Sequence, residues 1–350
     1  MTLTWVDAAK LLFVLVMPLQ VVPVLVWLER KISAWIQGRV GPNRVGPFGL
    51  LQPLADAIKF IFKEDIFPAN ADRFIYLIAP MLVLMPPLLG LLVLPFSNHV
   101  MIGGTLHEMV GARLPIGILW LMSVLSIGVY GIAFGGWASN SKYSLLGGLR
   151  SSAQMISYEL TLGLTLISLI MISGTVDPVD MVKDQARHGW NVLGGGAWYF
   201  LPSGLLAFLM LYIAGLAENN RLPFDLPECE SELVGGYHTE YSSMKFAMFF
   251  MGEYVAMITM SSLITTLLLG GWHFPGLTPL DATDWVWGGL VPFAVFSAKV
   301  LVILCVTIWV RWTLPRFKYT QLMNLGWKVL VPIALANLAV VGVAGVIFKR

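Results

Sequence analysis

The chain has 350 residues, of which 57% are hydrophobic and only 12% charged. A soluble globular domain carries about 25% charged residues. So few charges cannot cover an aqueous surface, and the chain is read as an integral membrane protein. The net charge of +2 says little, because the signs are partitioned along the chain.

Apolar runs of about 20 residues, the length a bilayer core demands of a helix, recur along the whole length. They predict eight spans, at roughly 8–28, 74–95, 115–137, 153–173, 198–217, 245–269, 288–311 and 329–348. The runs do not alternate apolar with polar residues, so strands are not expected. The fold class is all-α, one membrane domain over 1–350. Pro18, Pro23, Pro86, Pro87 and Pro292 fall inside spans and predict kinks.

Between the first two spans, Phe48 to Lys63 reads as an amphipathic helix. Gln52, Asp56, Lys59 and Lys63 share one face, and Leu51, Leu54, Ile58, Ile61 and Phe62 cover much of the rest. Such a helix lies in the membrane interface. The loops 29–73, 138–152, 218–245 and 311–328 hold fifteen of the 22 Lys and Arg residues, and the other side holds six. The excess of positive charge puts those four loops in the cytoplasm and both termini outside. Lys299 stands alone inside the seventh span.

Ionisable groups within spans mark functional sites or structural pairs. Glu159 lies early in the fourth span, Glu218 closes the fifth and Glu253 sits two turns into the sixth. Withdrawn from water, such carboxyls can exchange protons near neutrality and suit a relay. The alternative is a structural ion pair between Lys299 and one of them. The densest spot is the third basic-side loop, with Glu218, Arg221, Asp225, Glu228, Glu230, Glu232 and Glu240 among Leu222, Phe224, Leu226, Leu233 and Tyr237. The apolar neighbours need burial, so the carboxylates are held close to protein or lipid. Two cysteines, Cys229 and Cys305, without a CxxC, exclude a cysteine-ligated iron–sulfur cluster in this chain. No phosphate-binding glycine loop is present, so no nucleotide site is expected.

Four blocks carry a resemblance. They are Glu29-Arg-Lys with the run from Gln37-Gly-Arg39-Val-Gly-Pro-Asn-Arg44 to Asp56; Arg150-Ser-Ser-Ala-Gln154-Met-Ile-Ser-Tyr158-Glu159; Glu218 to Tyr241; and Arg311 with Leu314-Pro-Arg316-Phe-Lys318-Tyr. Together they resemble the H-type membrane subunit of NADH-quinone oxidoreductase, the family of NADH dehydrogenase subunit 1 in respiratory complex I, over essentially the whole chain. The resemblance implies a membrane subunit of a proton-translocating NADH:quinone oxidoreductase. Its cytoplasmic loops complete the chamber where ubiquinone or menaquinone is reduced, and FMN and iron–sulfur clusters belong to partner subunits. The partners are peripheral-arm and membrane-arm subunits and lipid, not nucleic acid, in a bacterial plasma membrane.

The resemblance further implies that the first span, the amphipathic helix and the sixth span frame a lipid-side quinone entrance. Arg30, Arg39, Asp56, Phe224 and Arg316 would line or support the quinone path. Asp225, Glu228, Glu230, Glu232 and Glu240 would form a charged exit, continued inward by Glu159, Glu218 and Glu253. Asn219, Lys318 and Thr320 depart from the family pattern. Two alternatives stay open: a homologous membrane subunit of an energy-converting hydrogenase or related dehydrogenase, and a stand-alone proton-coupled transporter.

Overall fold

The structure is a computed structural model, described over residues 5–226 and 234–348. Among those residues, eight helices are long and apolar enough to cross a membrane. They are α1 (Trp5–Ile36), α3 (Arg73–Leu91), α4 (Gly117–Ala138), α5 (Lys142–Ser173), α7 (Leu201–Glu218), α8 (Ser243–Leu268), α9 (Trp285–Thr313) and α10 (Tyr319–Ile347). Two shorter helices, α2 (Gln52–Phe62) and α6 (Pro178–His188), lie between them.

The helices pack in an order that puts α8 at the centre. It meets α3, α7, α9, α1 and α2, while α5 bridges α4, α7 and α10. Of the apolar stretch of α8, 72% is buried, against 22% in α1 and in α10, so the last two are flanking helices. Exposed tryptophans form two belts. Trp5, Trp120, Trp285 and Trp287 lie at one end of the bundle, and Trp35, Trp137, Trp309, Trp312 and Trp327 at the other. Amphipathic rings at both ends are what two membrane–water interfaces select. The second belt marks the basic face, where the loops rich in Lys and Arg emerge.

Several expectations are corrected. The segment 138–152, expected as a loop, is largely helical, because α5 begins at Lys142. Small residues allow this: a Cβ on Gly147 would stand 2.9 Å from the backbone of Gly236, and one on Gly148 would stand 3.3 Å from Gly136. That end of α5 therefore packs against α4 and the 236–238 turn. The helix expected from Phe48 starts at Gln52, since Phe48 has φ 54 and sits in a short 3-10 turn. α1 and α3 run on through their prolines. The bend expected at Pro292 is instead a π-wound turn, Trp285–Leu290, directly before it, and a second π turn, Leu325–Leu330, precedes Pro332. A prolyl ring displaces the carbonyl four residues back and donates no hydrogen bond, so the preceding turn widens. Against the expectation of no strands, His99–Ile102 (β1) and Thr105–Glu108 (β2) pair antiparallel outside the spans.

Candidate functional site

On the basic face, α1, α2 and α8 enclose a cavity of about 570 Å³. Its wall is apolar, with Val22 and Val26 from α1 and Phe250 and Met251 from α8. Its rim is charged. Arg30, at the end of α1, pairs with Asp56 of α2 at 2.8 Å. Asp56 also accepts from Gln52 at 3.2 Å and faces Lys59 at 3.5 Å, as the shared helical face predicts. Burial works against the Asp56 charge, but the hydrogen bond and charge of Arg30, with Gln52 and Lys59, outweigh it and hold the carboxyl below its ordinary value. On the other side of α2, Leu54, Ile58 and Phe62 are exposed, leaving an apolar strip uncovered by the described residues.

One residue before Arg30, Glu29 is buried. It forms an ion pair with Arg311 of α9 and accepts from the Tyr254 hydroxyl of α8 at 2.5 Å. The guanidinium of Arg221 lies 4.4 Å from the centre of the Tyr254 ring and pairs with Glu253 at 3.2 Å. Tyr237 donates to Glu253 at 3.1 Å. Arg311, Glu29, Tyr254, Arg221, Glu253 and Tyr237 thus form one chain of polar contacts across three helices and the segment that connects α7 to α8. The two arginines balance the two glutamates, which is the condition for keeping such charges out of water.

Behind this chain, Glu253 and Glu218 line a common void of about 50 Å³ with Asn219, Asn220, Gly128 and Met155. That volume holds about one or two waters. Glu218 Oε2 is buried and has no hydrogen-bond partner among the described residues, as expected of an atom that bonds to water in the void. Glu159 lies within electrostatic reach of Glu218. It accepts from Ser126 of α4, whose hydroxyl is also 2.9 Å from the Met122 carbonyl. A hydroxyl has one proton, so Ser126 serves one of these acceptors at a time, and it can accept from Glu159 while donating to Met122 only when that carboxyl carries a proton.

The remaining expected residues sit apart from the cavity. Phe224 is 3% exposed and packs between Tyr158 and Phe317, at 5.7 and 5.6 Å between ring centres. Gln154 fixes this loop by donating to the carbonyls of Ala217 and Phe224 at 2.7 and 2.8 Å. Asp225 pairs with Arg316 at 2.8 Å. Arg39 is exposed and donates to Gln37. The Glu240 carbonyl accepts from Tyr76 at 2.8 Å. Glu228, Glu230 and Glu232 lie outside the described residues. Among the described residues Lys299 pairs with no glutamate: it lies toward the opposite face and donates to backbone carbonyls. The alternative of an ion pair between Lys299 and a glutamate does not hold among the described residues, because those carbonyls already use its three donors.

Glu29, Tyr254, Tyr237, Arg311 and Ser126 join the site only once the chain is folded. Glu29 stands where a charge ordinarily closes a span, and Tyr254 is visible in the sequence only as the neighbour of Glu253. A hydroxyl in an apolar run, such as Ser126, carries no signal until its partner is placed.

This arrangement defines a polytopic helical membrane protein with an apolar chamber at one interface and a line of buried titratable groups leading inward from it. The family model described as NADH dehydrogenase matches residues 9–342. The chain is 47% identical to an H-type NADH-quinone oxidoreductase subunit of Geobacter sulfurreducens, covering 96% of this chain and 93% of that one. It is 48% identical to NADH-quinone oxidoreductase subunit 8 of Rhodothermus marinus, over 93% of each. It is 43% identical to an H-type subunit of Cytophaga hutchinsonii, over 92% of this chain and 91% of the relative. The chain belongs to the NADH dehydrogenase family, among the H-type membrane subunits of NADH-quinone oxidoreductases.

Proposed function

We propose that this chain is the membrane subunit of a proton-translocating NADH:quinone oxidoreductase that shapes the quinone chamber and begins the proton relay. The observation that carries the reading is the juxtaposition of the apolar cavity, with Arg30 and Asp56 at its rim, and the buried chain from Glu29 to Glu253. A quinone has an apolar tail and a polar headgroup, and the cavity offers both surfaces. Reduction consumes two electrons and two protons to give a quinol. The electrons come from an iron–sulfur cluster in a partner subunit, and FMN likewise belongs to the partners. The protons come through titratable groups of the basic face.

In this reading quinone, ubiquinone or menaquinone, enters from lipid between α1, α2 and α8, with α2 in the interface plane. Arg30 and Asp56 meet its headgroup at the entrance, while Arg39, Phe224 and Arg316 support the path. Asp225, Glu228, Glu230, Glu232 and Glu240 form the charged exit. Glu253, Glu218 and Glu159 carry the protonation change inward through the water-sized void and Ser126. The basic face is cytoplasmic and both termini lie on the other side of a bacterial plasma membrane. Peripheral-arm subunits dock on the basic face and membrane-arm subunits flank the helices.

The test is purification of the Glu253→Gln variant from native membranes. The expected result is an assembled iron–sulfur flavoprotein that still passes electrons from NADH to an artificial acceptor. Its quinone reductase and proton pumping should be lower by at least about tenfold. Full quinone reduction and pumping in that assembled variant would refute the relay.

A further inference from the structure

At the face opposite the cavity, α8 ends in a turn with an unusual focus. Leu269 caps the helix, and Gly270 and Gly271 follow with φ of 74 and 53. Neither glycine can be replaced without strain: a Cβ would stand 2.6 Å from the Trp190 ring at Gly270 and 2.6 Å from Val182 at Gly271. Buried Gln185 accepts from Gly270 N at 3.0 Å, and Gly271 N donates back to the Thr265 carbonyl at 2.8 Å. So held, the turn aims the carbonyls of Leu269, Gly271 and His273 at one point. The ammonium of Lys299, from α9, occupies that point at 2.6, 3.0 and 2.6 Å. The Trp190 ring lies 4.6 Å from it on a further side.

We propose that the Leu269–His273 turn is a binding site for a primary ammonium ion, which the native chain fills with its own Lys299, and that this plug fixes the position of α8. The match is to –NH₃⁺ in particular. Three donors meet three acceptors, an aromatic face meets the cation, and the negative end of the α8 dipole points the same way. No carboxylate is needed. Glu253 lies on the same helix about 24 Å below Leu269, at 1.5 Å per residue. A helix held at its upper end presents Glu253 and Tyr254 at a fixed height to Arg221 and Glu29. Without the plug, partly buried carbonyls lose their partner, and the turn relaxes by shifting the end of α8. The link to Glu253 rests on the proposed relay; the cation site does not.

The test uses the purified whole complex carrying Lys299→Ala, with methylammonium as the probe. The site predicts a lower midpoint of thermal inactivation in the variant, raised saturably by millimolar methylammonium. Tetramethylammonium, which has no N–H donor, should have no effect, and neither ion should affect the unsubstituted complex. The positioning role predicts a roughly tenfold fall in quinone-coupled proton pumping, equivalent to one charge-assisted hydrogen bond, restored by the same ion. A variant whose stability ignores methylammonium overturns the site. A variant that methylammonium stabilises but that pumps normally without it overturns the positioning role and leaves the site standing. A failure of the Glu253→Gln test with normal behaviour here would instead refute the relay alone. If Lys299→Ala does not assemble, cells grown with methylammonium should recover the complex in their membranes, and failure to recover it overturns the proposal.

Discussion

The ion pair between Glu29 and Arg311 joins the end of α1 to α9, and its removal gives a magnitude that can be worked out. The side chains are 7% and 22% exposed, so solvent screens the pair weakly. Glu29→Ala leaves Arg311 without its carboxylate and strips the Tyr254 hydroxyl of its acceptor. Breaking a buried pair from one side costs about 3–5 kcal/mol. In a chain of this size that lowers the midpoint of thermal inactivation by on the order of 5 °C. Among the described residues, Arg311→Met alone leaves Glu29 with the Tyr254 hydroxyl as its one side-chain partner and costs a similar amount. The double variant leaves no uncompensated charge, so its loss should be clearly smaller than the sum of the two single losses. The assay is quinone reductase activity of the assembled complex after timed heating, for all four proteins. If the losses of the single variants add in the double variant, the two residues do not act as a pair.

Other predictions concern the rim and the relay. The Asp56 carboxyl is held below its ordinary value of 3.8. Its contact with Arg30 is therefore complete above that value and is lost as pH falls through the lower folded-state value. The quinone KM should stay level from about pH 5 upward, and a change of KM near neutrality that Asp56→Asn abolishes would contradict this. Ser126→Ala removes the donor to Glu159 and should lower the proton-to-electron ratio in proteoliposomes more than it lowers quinone reduction. Gly128 lines the void shared by Glu218 and Glu253, and a Cβ there meets nothing within 4 Å. Gly128→Val should thus fold and assemble while displacing water, so pumping slows and thermal stability holds; unchanged pumping would mean that water there carries no protons.

The spans are legible because a bilayer demands long uninterrupted apolar runs, and nothing else in the chain competes with that signal. The start of α5 is hidden for the opposite reason. Lys142, Gly147, Gly148 and Arg150 look like a loop when only composition is read, and the close backbone approach that makes their glycines useful is a tertiary fact. The hairpin of β1 and β2 is too short for periodicity, although Gly103-Gly104, with φ of 60 and 82, is the turn such a hairpin needs. In the site, Glu253, Glu218 and Glu159 stand out as charges within spans. Glu29 does not, since its burial depends on Arg311 arriving from 282 residues away in sequence. The rim pair of Arg30 and Asp56 comes from resemblance, because helical spacing places Asp56 on a polar face without saying what it faces.

The central seat of α8 sets an uneven tolerance to change. Nearly every side chain from Met257 to Leu268 is enclosed by its neighbours, so a substitution there disturbs several helices together, whereas the outward sides of α1 and α10 can exchange one aliphatic residue for another. Sequence drift should accumulate along the flanks and spare the axis, and the helix that holds both Glu253 and the Lys299 socket would be the last to diverge.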